Sequence, residues 1–216
     1  MTKRMTTLLE ESAAQHKHLC PRQVLGVRIG LAGGAALGLE LPRRDKRLLI
    51  FTETDGCFAD GLAVATGCTM GRRTLRLEDY GKVAATFVDI RTEKGVRVAP
   101  QLDIRAKAYA YAPGEKKRYF AQLHGYQAMP DAELLTIEPV RLAIAVKEIV
   151  SRAGVRVNCA RCGEEIINER EIYHQDQRYC LACVRPAYYI PLCPLPSETA
   201  DLLFKEFPMG AAHHDK

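Results

Sequence analysis

No apolar run in this sequence is both long enough and free enough of charge to cross a membrane. The most apolar window, residues 24–41, is interrupted by Arg28 and Glu40 and holds five glycines. A charge near the middle of a span costs roughly 2.5–3.5 kcal/mol on insertion scales, so this window is expected to form a buried helix of a soluble domain. The basic residues of the opening MTKRMTTLLEES are followed by no apolar stretch, as a secretory signal would require. The eight cysteines are therefore expected in a reducing, cytoplasmic compartment and not in a disulfide framework. An iron–sulfur cysteine run and a dinucleotide glycine fingerprint are also missing, which removes the usual hardware of direct electron transfer. There are no internal repeats. Nor is there a concentrated charge excess: 31 Lys and Arg against 26 Asp and Glu leave +5 spread along the chain, whereas nucleic-acid binders usually gather theirs on one face.

What is present is ordinary globular material, 47% hydrophobic and 26% charged over 216 residues, enough for one domain of common size and a small one. Thr7 and Glu10 have the spacing of a capping box and predict a short helix over residues 7–14. Pro21 suits the first turn of a second helix, to about residue 37. Gly26, Gly30, Gly34 and Gly38 recur on one ridge of it, where another element can pack closely. Residues 47–53 read as a buried strand and 57–66 as a helix behind it. Residues 82–90 and 96–99 form a hairpin pattern. Helical patterns near 104–110 and 115–127, a strand at 133–137 and a helix between 140 and 151 complete an α+β class. From Val155 the composition changes to cysteine pairs and short strands. The expected division is a core domain over residues 1–152, a zinc finger over 153–195 and a tail over 196–216, in which His213 and His214 are exposed side chains.

Cys159 and Cys162 form one Cys-x-x-Cys pair, Cys180 and Cys183 another, and seventeen residues lie between them. Two residues between paired cysteines let a tight turn aim both thiolates at one metal, and tetrahedral zinc takes two such pairs. The intervening residues suffice for a hairpin and residues 180–185 for a short helix, a treble-clef arrangement. Four cysteines saturate the metal, so the site is structural or a docking surface. The finger's Arg161, Arg170, Arg178 and Arg185 are balanced by Glu164, Glu165, Glu169, Glu171 and Asp176, which argues against nucleic acid as its partner.

A second cluster lies near the amino terminus. His16-Lys17-His18-Leu19-Cys20-Pro21 places three metal-ligand types within five residues just before a helix. Cys57, at a strand-to-helix junction, is its natural distant partner. Zinc or another transition metal held by His16, His18 and Cys57, with Cys20 as substitute or fourth ligand, would keep an open position for water or substrate. The alternative is that the histidines cap or pack and the cysteines are buried thiols. Glu53, Asp55 and Asp60 are candidates to orient a metal-bound histidine or to act as a base, with a helix cap as the alternative for Asp55. A reversible Cys20–Cys57 disulfide is a further alternative. Cys68 is expected as a buried small residue, His124 as structural, and Arg72, Arg73, Arg76 and Lys82 as a solvated face.

These segments, together with Val24-Leu25-Gly26-Val27-Arg28, Glu53-Thr54-Asp55-Gly56-Cys57-Phe58-Ala59-Asp60, Thr66-Gly67-Cys68-Thr69-Met70-Gly71 and Asp79-Tyr80-Gly81-Lys82, resemble the formylmethanofuran dehydrogenase E-subunit family over roughly residues 8–145. Lys17 and Arg22 stand where that family usually has glycine, and Gly61-Leu62 where it more often has alanine and isoleucine. The resemblance implies a mixed sheet flanked by helices, somewhat like thioredoxin, a metal site built from the His-x-His segment and a cysteine, and often a C-terminal treble-clef finger. It implies an accessory protein of molybdenum- or tungsten-dependent metabolism related to methanogenesis, with a protein partner from that system. Homo-oligomerisation is left open, and membrane insertion is not expected. The alternatives are a zinc-dependent enzyme acting on a small substrate and a zinc-finger regulatory or nucleic-acid-binding protein.

Overall fold

The computed structural model describes residues 3–16, 18–150 and 154–190; Lys17 and the expected tail with His213 and His214 lie outside them. Contacts divide the chain into two units, with the boundary between Ala143 and Ile144.

The first unit opens with α1 (Lys3–His16) and α2 (Pro21–Ala36), followed by β1 (Leu48–Thr52), α3 (Cys57–Thr66), β2 (Leu75–Leu77), β3 (Ala85–Asp89) and β4 (Gly95–Pro100). The short α4 (Ile104–Lys107), then α5 (Arg118–Ala128), one turn of α6 (Asp131–Leu134) and β5 (Leu135–Val140) complete it. The strands form one mixed sheet in the order β2-β1-β3-β4-β5. β1 pairs with β2 in parallel, and the other neighbours are antiparallel. The expected mixed sheet flanked by helices is present. Register aligns Ile50 with Phe87 and Phe87 with Val96, which stacks large apolar side chains across three strands. Those three join Leu48, Val98, Phe58, Leu62 and the apolar residues of α2 in the main core.

α2 is buried on nearly every side, as its largely apolar composition requires. Its glycines decide what it can touch. A Cβ on Gly26 would sit 2.3 Å from the Phe58 carbonyl oxygen of α3, and one on Gly61 would sit 2.5 Å from that of Gln23. The two helices therefore meet backbone to backbone. Gly30 faces Ala65 and Gly33 faces the Phe87 ring, so α2 is held between α3 and the sheet. Gly38 does not share the packing role expected of the ridge: it lies past the helix end at φ +65 with open space around its Cβ position.

One charge is buried along α2. Arg28 donates to the carbonyls of Tyr126 and Met129 at 2.7 Å each, to that of Gln127 at 3.4 Å, and to Asp131 at 2.5 and 3.1 Å. At the sheet, Arg47 grips the nearly inaccessible Asp89 through two bonds of 2.9 and 2.7 Å. The Arg47 guanidinium holds the Asp89 carboxyl well below the usual range against the opposing effect of burial.

Three local expectations are corrected. Thr7 is not a cap: α1 begins at Lys3, and Thr7 bonds back to the Lys3 carbonyl from inside the helix. The helices expected near 104–110 and between 140 and 151 shrink to Ile104–Lys107 and Val146–Ile149. The short β2 has no counterpart among the expected strands. It exists because the chain after α3 returns beside β1, where Ile50 N–H donates to the Thr74 carbonyl at 2.8 Å.

The second unit contains α7 (Val146–Ile149), the hairpins β6 (Arg156–Asn158) with β7 (Glu165–Ile167) and β8 (Ile172–His174) with β9 (Gln177–Tyr179), and the short α8 (Leu181–Val184). Its apolar centre is small: Cys159, Ile166 and Tyr179 are buried, with Val157, Val184 and the other three cysteines of the two pairs packed against them.

Candidate metal centre

The four C-terminal cysteines are arranged by backbone turns. Cys159 N–H donates to the Glu164 carbonyl at 2.9 Å and Gly163 N–H to the Cys159 carbonyl at 3.0 Å, closing a loop that needs the positive φ of Gly163. The second pair repeats the device at the start of α8, where Cys183 N–H donates to the Cys180 carbonyl at 3.0 Å. Two contacts tie the turns together: Cys180 N–H points at Cys159 Sγ at 3.3 Å, and Arg161 donates to the Cys183 carbonyl at 3.0 Å.

All four sulfurs lie within 4.8 Å of one another, and Cys162 and Cys180 Sγ are 3.9 Å apart. Four sulfurs at Zn–S bonds of ~2.3 Å in a tetrahedron would be separated by about 3.8 Å, so the cluster fits a four-coordinate ion. The electrostatics agree. Burial opposes ionisation of Cys159, but the N–H groups of Cys162, Cys180 and Arg161 overcome it and bring the thiol down to about 6. Burial pushes Cys162 up to about 11. Burial and the neighbouring Cys180 and Cys162 raise Cys183 strongly. The fold itself favours one thiolate, at Cys159; a bound cation would favour the ionised form at the others.

The amino-terminal residues are brought near each other differently. His16 ends α1, and its Nε2 meets Asp60 Oδ2, in the first turn of α3, at 2.6 Å. His18 donates from Nδ1 to the His16 carbonyl at 2.9 Å, and the two rings lie 6.4 Å apart at 73°. Cys20 is the buried N-cap of α2 and Cys57 the first residue of α3. Burial and the adjacent Cys20 thiol raise the Cys57 thiol above its ordinary value. Among the described residues, His16, His18, Cys20 and Cys57 do not share the 4.8 Å mutual spacing of the C-terminal four.

The carboxylates divide by role. Asp60 occupies one nitrogen of His16, as carboxylates that orient metal-binding histidines do. Glu53 is held by Arg97 through bonds of 2.6 and 2.7 Å. The helix cap that was the alternative for Asp55 is absent: Gly56 is the N-cap of α3, and no side chain bonds there. Cys68 is buried with its thiol toward the Leu48 carbonyl, as expected. His124, which lacks a partner in adjacent sequence, pairs with Glu115 at 2.8 Å.

Two residues near this cluster are not among the sequence candidates. Gln23 accepts from Cys20 N–H at 2.8 Å and donates to the Ser12 carbonyl at 2.8 Å, fixing Cys20 against α1. Its signal is local, since glutamine three residues after a helix cap is the capping-box offset. Tyr119, on α5, donates to the Leu19 carbonyl at 3.1 Å, and its phenol is raised by burial and by the nearby Cys20 and Cys57. No local pattern links residue 119 to residue 19.

Comparison with known proteins decides the family. The family described as "FmdE, Molybdenum formylmethanofuran dehydrogenase operon" matches residues 15–136, more than half of the chain. The chain belongs to the FmdE family. A probable S-adenosyl-L-methionine-binding protein of Archaeoglobus fulgidus is 39% identical over 98 residues, which are 44% of this chain and 27% of that protein. The chain thus spans about a quarter of that relative's length. The crystal structure of a tungsten formylmethanofuran dehydrogenase FmdE-like protein from Syntrophus aciditrophicus is similar with a TM-score of 0.57 at 22% identity, covering 86% of this chain and 95% of that one. It supports the fold. No helix among the described residues is long and apolar enough to cross a membrane.

Proposed function

We propose that this FmdE-family chain is a zinc-binding accessory protein of a molybdenum- or tungsten-dependent formylmethanofuran dehydrogenase-type system. Its C-terminal unit is read as a treble-clef finger around one zinc ion, and its core carries a second metal site. The observation that supports this most is the family match together with the four-cysteine cluster: the family description names the formylmethanofuran dehydrogenase operon, and an ion held by four cysteines would keep no open position for chemistry and so suit a docking role. Affinity capture with the full chain from a native lysate of its source should recover a protein that contains molybdenum or tungsten, or one that inserts such a cofactor. Repeated recovery of neither overturns the association.

The second reading, a zinc-dependent enzyme in the core, is favoured by the Asp60–His16 contact. A carboxylate on Nε2 would make Nδ1 of His16 the more basic nitrogen and fix its direction. His16, His18 and Cys57 would hold the ion, with Cys20 as substitute or fourth ligand. An ion with an open position supplies a water of lowered pKa or polarises a carbonyl. Metal analysis should give two zinc ions per chain, falling to one in a folded His16→Ala, His18→Ala variant. One ion in the unaltered chain removes the core site from both readings. The S-adenosyl-L-methionine binding named for the Archaeoglobus relative is not carried over, because most of that protein lies outside the match.

A further inference from the structure

α2 and α3 pack in parallel with matched register. Gly26 lies against Phe58, Gly61 and Leu62, and four residues on, Gly30 lies against Leu62, Ala65 and Thr66. Parallel helices that touch through glycine backbones bring their amino termini out at the same end. The residue at each amino terminus is a cysteine: Cys20 caps α2, and Cys57 opens α3. Gln23 fixes the backbone of Cys20, and the Gly26–Gly61 contact allows no side chain to wedge the helices apart. Both cysteines are reduced, Cys20 buried and Cys57 partly exposed.

We propose that Cys20 and Cys57 form a reversible disulfide between the amino termini of α2 and α3, made by exchange with a small-molecule disulfide. The reading rests on the adjacency of the two thiols and holds whether or not the core binds a metal. The partly exposed Cys57 reacts first. Its thiolate, having lost its proton to solvent, attacks one sulfur of the small disulfide RSSR and forms a Cys57–S–S–R bond as RS⁻ leaves. The Cys20 thiolate then attacks Cys57 Sγ, the Cys20–Cys57 bond forms, and a second RS⁻ leaves. Two protein thiols are oxidised and one RSSR is reduced to two RSH. The Cys-x-x-Cys spacing of a redox helix is absent from the core, and the parallel helix pair supplies in space what the sequence lacks.

Incubation of the full chain, supplied with one equivalent of zinc, with glutathione disulfide, followed by non-reducing peptide mapping, tests this. The expected result is a peptide pair linked through Cys20 and Cys57 that dithiothreitol separates. Cys20→Ser should stop the reaction at a glutathione adduct on Cys57, and Cys57→Ser should leave Cys20 largely unmodified. Circular dichroism confirms that each variant is folded. Adducts on both cysteines with no linked pair, or no reaction of Cys57 while other thiols react, would overturn the proposal. Repetition with excess zinc reports separately on the core metal: slower linkage means that the ion and the disulfide compete for the same sulfurs, and an unchanged rate counts against zinc there without affecting the disulfide.

Discussion

Substitution of Cys159 by serine should unfold the C-terminal unit while the first unit keeps its own melting transition. Cys159 is the most buried of the four cysteines, and three backbone N–H groups converge on it. Serine is a poorer metal ligand than a thiolate and leaves three thiols in a cluster that could hold an ion. Against this the unit offers little: its described buried centre is Cys159, Ile166 and Tyr179, under hairpins with three-residue strands. Structural zinc sites contribute about 10–16 kcal/mol at neutral pH, far more than a core of that size can. The amide signals of residues 154–190 should collapse to unfolded positions, with a loss of one equivalent of bound metal. A strong chelator should do the same to the unaltered chain. Native dispersion of these signals in the serine variant would mean that the fold of the unit does not depend on the ion.

The parts of the molecule legible in the sequence are those fixed by spacing or by a run. Two Cys-x-x-Cys pairs announce the C-terminal cluster because the turn that gathers each pair is local, and the structure brings all four sulfurs together. α2 is legible because its apolar run has a helical length and a proline in its first turn. The mixed sheet follows from strands too irregularly interleaved with helices for a doubly wound fold. What is illegible depends on contacts between distant residues. β2 has three residues and no pattern of its own; it is a strand only because β1 offers it an edge. Asp60 reaches His16, Arg97 reaches Glu53 and Tyr119 reaches Leu19 across 44, 44 and 100 positions. The density of ligand types in His16-Lys17-His18-Leu19-Cys20 is visible, but not the direction of each side chain, and that direction separates a cluster of neighbours from four converging ligands. Arg28 shows in the sequence only as a charge that bars a membrane span.

Replacing Arg28 by methionine should cost about 3–5 kcal/mol, the range for removing one partner from a buried, hydrogen-bonded charge site, and lower the melting temperature of the first unit by about 10 °C. Methionine restores most of the volume, so the loss is polar. The carbonyls of Tyr126, Gln127 and Met129 belong to the last turn and cap of α5, where no further helical N–H can reach them. The guanidinium supplies those missing donors from α2 and sets a positive charge at the negative end of the α5 dipole. Its bond to Asp131 matters less, since that carboxylate is 60% exposed and already solvated. Asp131→Asn should therefore cost at most about 1 kcal/mol. Arg28→Lys should fall between the two, because one ammonium cannot span carbonyls that a planar fork bridges. Thermal melts of the three variants distinguish the causes. If Arg28→Met is no worse than Asp131→Asn, the ion pair was the whole contribution and the capping of α5 contributes nothing measurable.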